Sequence, residues 1–373
     1  MSQRSQVLNF EVEVKPKKSG KFLQSISITK VDSASLDRCR RAVSNSLVEQ
    51  TFNMAFSGFW CHEDICDGMI QSIQVKQVLY SGKSKFQAVH IADLNPLGKT
   101  LFMDGKMQSS EIDEFVYHES LVHPVMLAHP NPKSVFIGGG GEFATAREVM
   151  RHKTVKRCVM VDIDEVACDM CREHLPEWNA GAYEDERMET HYEDAYGWLE
   201  NCNEKFDVII MDICDPQEAG PGMRLYYQAF YKMVLTKCLN PGGLLVTQSG
   251  AGNIATDTFA VIHNTLKSAF DHVVPYVTNV VSFGSDWAWN IAFNNDAAIA
   301  SAGPGGVKAV RDRPEEEIDA LIAERVTGEL KFLDGLSYRG LMGMPKYLRK
   351  ILAAEKRIMT EETPVFLYAK YED

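Results

Sequence analysis

Long apolar segments are missing from this 373-residue sequence. No unbroken hydrophobic run approaches the roughly 20 residues that a membrane-spanning helix needs. Residues 1–30 alternate polar and apolar positions, and they lack the apolar block and the small-residue cleavage site of a secretory signal. We therefore expect a cytoplasmic protein that does not act at a membrane.

An excess of basic residues is missing as well. The 39 Lys and Arg residues are outnumbered by 51 Asp and Glu residues, which gives a net charge of −12. Because phosphate binding needs clustered Lys and Arg, this balance disfavours nucleic acid as a partner. It suits a cationic small molecule better, although many cytosolic proteins are acidic.

The nine cysteines show no disulfide pattern, because their number is odd and they are scattered, which fits a reducing compartment. Cys168 and Cys171 form a CxxC with His174 three residues later, but no second pair accompanies it. The segment 165–175 has a helical pattern, in which these side chains do not converge on one ion. A structural metal is the weaker interpretation, and we predict no metal site.

The composition that remains, with 45% hydrophobic and 24% charged residues, is that of an ordinary globular protein. Residues 1–58 match no recognised pattern and are treated as an N-terminal extension of unknown role. Residues 59–119 predict a small antiparallel β domain, because alternating segments such as 73–79 are broken by turn signals such as the Asp-Gly pair at 104–105.

Residues 120–373 predict a catalytic domain of the α/β class. Here short apolar runs are separated by helical patterns, and the runs are 135–137 (VFI), 159–161 (VMV), 208–211 (VIIM) and 244–246 (LLV). Strands that alternate with helices predict a mostly parallel sheet covered on both faces. Ligands of such sheets bind beyond the carboxyl ends of the strands, so the residues after each run are the candidates for a site. A helical segment near the C-terminus is predicted to begin at about Pro314.

The first run leads into four glycines, 138–141, and then Glu142. Glycines allow a sharp turn and a close approach of ligand to backbone, as in a dinucleotide phosphate loop. A carboxylate at Glu142 opposes that interpretation, because a pyrophosphate needs bare N–H groups and positive potential there. The acid favours a sulfonium or an amine instead.

Asp162 ends the second run about 20 residues further on, at a position suited to hydrogen bonds with ribose hydroxyls.

Further acids follow the later strands. Asp194, followed by Ala195, could accept a hydrogen bond from an adenine amino group, and a plain surface acid is an equal alternative. Asp212 and Asp215 follow the run 208–211, where a helix cap, a metal pair and a polyamine site all remain open. Together with Glu142 and Asp162, these acids would surround one cleft, as several ammonium groups require.

Two segments, 101–108 (LFMDGKMQ) and 113–119 (DEFVYHE), resemble the signature of the spermidine-synthase-type aminopropyltransferases. The forms of 117–124 (YHESLVHP) and 146–149 (AREV), with Glu142 as the acid after the glycines, are nearer those of the thermospermine synthases. The resemblance extends from about Trp60 to the C-terminus.

This resemblance implies a small N-terminal antiparallel β domain, a Rossmann-like methyltransferase-type domain and a homodimer. No cofactor is implied, because decarboxylated S-adenosylmethionine is a co-substrate. By the matching motifs, the donor is assigned to Gln87, His118, Glu142, Asp162, Asp194 and Ala195. The acceptor amine is assigned to Tyr117, Asp212 and Asp215, with Asp212 as the proton acceptor.

The chain departs from the family pattern at two positions. Phe143 stands where the family commonly has another glycine, which predicts a tighter or displaced loop. Phe283 stands where related synthases commonly have a tyrosine, which predicts the loss of a hydroxyl contact near the acceptor.

We therefore expect transfer of an aminopropyl group to spermidine, giving thermospermine and methylthioadenosine. The alternatives are a spermidine or spermine synthase, with another acceptor or product, and a non-catalytic polyamine-binding protein. A methyltransferase is disfavoured, because Glu142 would repel the carboxylate of intact S-adenosylmethionine.

Overall fold

A computed structural model of the chain describes residues 59–218, 220, 222–294 and 307–366. The predicted N-terminal extension, residues 1–58, lies outside the described residues. Within the described part of the chain, no helix is both long enough and apolar enough to cross a bilayer.

The first sheet has five strands in chain order, and neighbours from the second strand onward are antiparallel. The strands are β1 (Phe59–Cys66), β2 (Met69–Lys83), β3 (Ala88–Asn95), β4 (Gly98–Met103) and β5 (Lys106–Ser110). Asp104 and Gly105 both have positive φ, 48° and 76°, in the two-residue turn between β4 and β5. Such turns match the twist of a hairpin, so the Asp-Gly signal is confirmed.

Helix α1 (Glu114–Ala128) follows the first sheet and is buried almost all round. A helix of this kind shows no amphipathic period, because every face meets apolar neighbours. The predicted domain boundary at residue 119 falls inside α1, whereas the last strand of the first sheet ends at Ser110.

The second sheet is mixed, with the order β11-β12-β10-β9-β6-β7-β8. Its strands are β6 (Ser134–Gly139), β7 (Arg157–Asp162), β8 (Met188–Tyr192), β9 (Phe206–Asp212), β10 (Leu239–Ala251), β11 (His272–Val280) and β12 (Ser285–Phe293). The four predicted apolar runs lie in β6, β7, β9 and β10, which are parallel to one another, as predicted. The antiparallel pair β11 and β12 was not predicted.

Both faces of the second sheet are buried. In β6, Val135 and Ile137 join one apolar cluster with α1, while Phe136 joins another cluster on the opposite face. Side chains of a strand alternate between faces, so a continuous apolar run is needed where both faces are covered.

The remaining α-helices of the described residues are α2 (Ala144–Met150), α3 (Glu165–His174), α4 (Pro176–Asn179), α5 (Ala195–Asn201), α6 (Gln228–Met233), α7 (Asp257–Lys267), α8 (Val307–Arg311), α9 (Glu315–Arg325), α10 (Gly335–Met342) and α11 (Lys346–Ala354).

The C-terminal segment is held against α1. The carboxylate of Glu119, buried in α1, accepts hydrogen bonds of 2.8, 2.9 and 2.9 Å from the backbone N–H groups of Lys331, Phe332 and Leu333. Helix α9 begins directly after Pro314 and has three glutamates in its first turn, as predicted. Its Ile318 is fully buried in the α1 cluster, so the helix is docked.

Candidate active site

One cavity lies at the carboxyl ends of the parallel strands, beside the first sheet. Eight of the nine residues predicted for the site line it, and His118 does not; the eight are Gln87, Tyr117, Glu142, Asp162, Asp194, Ala195, Asp212 and Asp215. The parallel strands therefore bring to one edge side chains that lie far apart in the sequence, as this class of sheet requires.

The glycine turn after β6 lies directly on Asp212. Gly139 and Gly140 have φ of 77° and 76°, and a Cβ on Gly139 would lie 2.1 Å from the carbonyl oxygen of Asp212. The N–H of Gly140 donates to that oxygen over 2.9 Å. Glycine is required here both for the backbone conformation and for the close approach.

Phe143 completes this turn in a left-handed conformation, with φ of 64°. This conformation is uncommon for a residue with a bulky side chain, and glycine adopts it without strain. The ring of Phe143 is fully buried, 5.8 Å from that of Tyr183, with the guanidinium of Arg172 over its face. Packing of the ring thus holds a backbone position that the family commonly gives to glycine.

Asp212 ends β9 at the centre of the cavity. Its Oδ1 accepts a hydrogen bond of 2.8 Å from the hydroxyl of Tyr117, and its Oδ2 accepts one of 2.6 Å from Thr145 Oγ1. Burial and the charge of Asp212 raise the pKa of Tyr117 well above its ordinary value, so the phenol remains a donor. Thr145 was not identified from the sequence.

Asp162 and Gln87 both line the cavity. Asp162 Oδ1 accepts a hydrogen bond of 2.8 Å from the N–H of Asp164, and burial raises the pKa of Asp162 to about 6. Asp164 itself caps α3 by accepting from the N–H of Ala167, and it also accepts a hydrogen bond of 3.0 Å from Gln87. Ionising Asp162 in this environment is unfavourable unless a ligand supplies hydrogen-bond donors or positive charge.

Glu142 lines the cavity and is fixed by buried partners. Its two oxygens lie 2.7 Å from His118 Nε2 and 2.9 Å from Ser109 Oγ. His118 Nδ1 lies 2.9 Å from the carboxylate of Glu114. Burial alone would lower the pKa of His118, but its hydrogen bonds to Glu114 and Glu142 raise it to about 10. His118 is therefore an imidazolium placed behind Glu142, and its predicted contact with the donor stays a prediction.

Asp194 caps helix α5 and also lines the cavity. Its carboxylate accepts hydrogen bonds from the N–H groups of Tyr196 and Gly197, at 3.3 and 2.9 Å, and it forms an ion pair with Arg224. Arg224 also lies 4.5 Å from the centre of the Tyr196 ring. Arg224 belongs to the segment after Asp215 whose Gly222 and Leu225 line the cavity, so this ion pair joins two segments of the cavity wall.

Gln248 and Glu63 also line the cavity and were not predicted. Gln248 Nε2 lies 3.1 Å from Asp215 Oδ1 and 2.6 Å from the hydroxyl of Tyr226. Glu63, on β1, is 9% exposed; its Oε1 accepts from the N–H of Met107, and its Oε2 has no hydrogen-bond partner among the described residues. Burial raises the pKa of Glu63 to about 7 and that of Asp215 to about 6.

Aromatic side chains form the wall beside these acids. Phe283 is nearly buried, and its ring lies 5.8 Å from that of Tyr117 and 4.6 Å from that of Trp287. All three line the cavity. The wall is thus apolar at Phe283, where a tyrosine would add a hydroxyl. Such surfaces accommodate methylene chains, and aromatic faces attract ammonium groups.

The CxxC lies outside this site. Cys168 and Cys171 are buried on α3, where burial raises the pKa of both thiols. Among the described residues, no three His, Cys, Asp or Glu side chains converge as they would around a metal ion.

The fold and the site together define a Rossmann-like protein with an acid-lined cleft for a cationic small molecule. Residues 114–301 match the spermine/spermidine synthase domain, and residues 59–111 match the spermidine synthase tetramerisation domain. The chain belongs to the spermine/spermidine synthase family of aminopropyltransferases, as its motifs predicted.

Individual relatives agree with this assignment. The chain is 40% identical over 294 residues to polyamine aminopropyltransferase 2 of Hyperthermus butylicus, and the alignment covers 79% of this chain and 92% of that protein. It is 39% identical over 311 residues to thermospermine synthase ACAULIS5 of Arabidopsis thaliana, and the alignment covers 83% of this chain and 87% of that protein. A crystal structure of spermidine synthase with the transition-state analogue AdoDATO superposes with a TM-score of 0.71 at 25% identity, covering 80% of this chain and 97% of that one. The predicted fold class is confirmed.

Proposed function

We propose that this protein transfers the aminopropyl group of decarboxylated S-adenosylmethionine to spermidine, giving thermospermine and methylthioadenosine. The observation that carries the proposal is the position of Asp212, whose carboxylate accepts a hydrogen bond from Tyr117 in a cavity that Glu142, Asp162 and Asp215 also line. Similarity to a thermospermine synthase over most of the chain supports the choice of product.

The reaction needs one proton transfer and no oxyanion stabilisation. The acceptor nitrogen attacks the aminopropyl carbon bonded to S⁺, the C–N bond forms, and the C–S bond breaks with its electron pair on sulfur. Methylthioadenosine leaves as a neutral thioether, and the amine proton passes to Asp212. A free amine with a lysine-like pKa is mostly ammonium at pH 7, so freeing its lone pair costs about 4 kcal/mol. A fixed carboxylate in contact with the amine reduces that cost.

The other carboxylates match the remaining charges of the substrates. Glu142 lines the cavity and is assigned to the donor, whose aminopropyl ammonium and sulfonium are positive. Asp215 and Glu63, whose Oε2 has no hydrogen-bond partner among the described residues, also line it and are assigned to the acceptor, a triamine with two further ammonium groups. Both acids have pKa values raised by burial, so a bound cation would favour their ionised forms.

The choice between thermospermine and spermine depends on which end of spermidine attacks. Attack through the aminopropyl end gives thermospermine, and attack through the aminobutyl end gives spermine. A single methylene provides only about 1–3 kcal/mol of discrimination. The position of the acids that meet the secondary ammonium must therefore select the end, and Asp215 and Glu63 are the acids that the described cavity offers there.

Product analysis tests the proposal. Purified protein is incubated with decarboxylated S-adenosylmethionine and either spermidine or putrescine, and the products are separated by chromatography that resolves the two tetraamine isomers. We expect thermospermine from spermidine, formed faster than spermidine is formed from putrescine. Intact S-adenosylmethionine serves as the control donor and should give no transfer. Predominant spermine, or a faster reaction with putrescine, would contradict the product but retain aminopropyl transfer.

A further inference from the structure

Asp212 has a second hydroxyl donor, Thr145, in addition to Tyr117. The two donors come from different helices, α2 and α1, and each contacts a different carboxylate oxygen, at 2.6 and 2.8 Å. Thr145 is fully buried and is not one of the residues that line the cavity. It therefore contacts the proposed proton acceptor without facing a ligand.

Thr145 is the second residue of α2, so no helical turn precedes it. A threonine further along a helix commonly bonds to a backbone carbonyl one turn back. The hydroxyl of Thr145 instead reaches a side chain 67 residues away in the sequence. The Cβ–Cγ torsion of an aspartate is broad, so a carboxylate held at one oxygen can still rotate. Donors at both oxygens fix its plane.

We propose that Thr145 is a positioning residue for Asp212, whose hydroxyl fixes the orientation of the carboxylate that accepts the proton. The inference rests on the proposed aminopropyl transfer with Asp212 as base. A merely structural hydroxyl would affect folding or ligand affinity and would leave the chemical step intact.

The test compares Thr145→Val, which keeps the shape and removes the hydroxyl, with Thr145→Ser, which keeps the hydroxyl. A hydrogen bond to a charged group corresponds to about a 10- to 100-fold effect, so kcat of the valine variant should fall by that factor. The KM for spermidine and the affinity for methylthioadenosine should stay the same. The serine variant should retain kcat.

A double-variant measurement shows whether Thr145 acts through Asp212. In an Asp212→Asn background, adding Thr145→Val should cause no further loss of kcat, because the two changes remove one function. If Thr145→Val does not fold, Thr145→Ala replaces it in the same measurements.

Several results would overturn the inference alone: wild-type kcat in the hydroxyl-free variant, failure of serine to restore kcat, or a full additional loss in the Asp212→Asn background. A wild-type protein that releases no methylthioadenosine from the decarboxylated donor would overturn the proposed function and this inference together. The wild-type assay therefore separates the two failures.

Discussion

At the scale of single residues, Asp212 is the side chain on which the proposed chemistry depends. Asp212→Asn keeps the shape and an oxygen that can accept from Tyr117, but an amide cannot take the proton. We expect kcat to fall by about 10²–10⁴, the usual contribution of a general base, while calorimetry shows unchanged affinity for methylthioadenosine. Glu173→Gln makes the same chemical change at a side chain that is 66% exposed, and it should leave both quantities unchanged. Near-normal turnover in Asp212→Asn would mean that another group is the base.

Glu63 and Asp215 predict a pH dependence of acceptor binding. Their pKa values, about 7 and about 6, lie above the ordinary range of carboxyl groups, so both acids lose negative charge as the pH falls from 8 to 6. We expect the KM for spermidine to rise over this interval. Glu63→Gln should raise that KM about 10- to 100-fold at pH 8 with little change in kcat, because one charged contact is lost. The same KM at pH 6 and pH 8 in the wild type would contradict this assignment.

The same raised pKa values affect the stability of the ligand-free protein. A carboxyl group whose pKa is higher in the folded state binds its proton more tightly there, so ionising it disfavours folding. The contribution of Glu63 and Asp215 is therefore most favourable at acid pH and is lost as the pH rises through about 6 to 7. A polyamine should offset this loss, because its ammonium groups pair with the ionised acids.

At the scale of secondary-structure elements, the turn between β6 and α2 combines a glycine-like backbone with a buried ring at Phe143. A left-handed conformation costs a non-glycine residue about 1–2 kcal/mol, and truncating a buried phenylalanine costs about 3–5 kcal/mol. We expect Phe143→Gly and Phe143→Ala both to lower the free energy of unfolding. The glycine variant should be more stable than the alanine variant by about 1 kcal/mol, the reverse of their order in a helix. Thermal and denaturant unfolding measure this order, and greater stability of alanine would contradict the strain at this position.

Sequence reasoning located the elements that carry the site, because two physical regularities are visible in the chain. Strands buried on both faces must be continuously apolar, and the carboxyl ends of parallel strands meet at one edge. The acids after 135–137, 159–161 and 208–211 were therefore expected to line one cleft, and they do. The particular roles of those acids came from the family motifs and remain predictions.

Other parts of the site gave no comparable signal. Glu63 is in a strand whose central residues, His62, Glu63 and Asp64, are all polar. The strand therefore lacks the alternation of polar and apolar residues by which a strand is predicted from sequence. Thr145 and Gln248 lie in elements that were predicted, but their hydrogen bonds depend on side chains 67 and 33 residues away in the sequence. Such contacts are set by tertiary packing. For the same reason, the family motifs could not predict that His118 contacts Glu142 and does not line the cavity.

At the scale of the whole molecule, the site draws on both sheets. Glu63 is on β1 and Gln87 directly precedes β3, whereas Asp162 and Asp212 end strands of the second sheet. The two segments matched by the family models, 59–111 and 114–301, therefore both contribute to one cavity. A change that loosens the first sheet should reduce acceptor binding as well as stability.

Assembly is the property of the whole molecule that the first sheet is expected to control. The motifs imply a homodimer, and residues 59–111 match a domain described as a tetramerisation domain. On β2, Ile70 is 62% exposed and Val78 is 51% exposed, which are unusual fractions for large apolar side chains in a strand. Apolar surface of this kind commonly becomes buried between subunits. We therefore expect light scattering to give a mass that is a multiple of 41.8 kDa.

Charge substitutions on β2 test which surface is responsible. Ile70→Glu and Val78→Glu should shift the protein to smaller species, because a buried charge without a partner strongly opposes association. Leu336→Glu is the matched control, since Leu336 is 67% exposed on α10, outside the first sheet, and its replacement should leave the mass unchanged. A wild-type mass of one chain would contradict assembly itself. An unchanged mass in both β2 variants would mean that the contact between subunits lies elsewhere. The mass of the wild type distinguishes the dimer implied by the motifs from a tetramer.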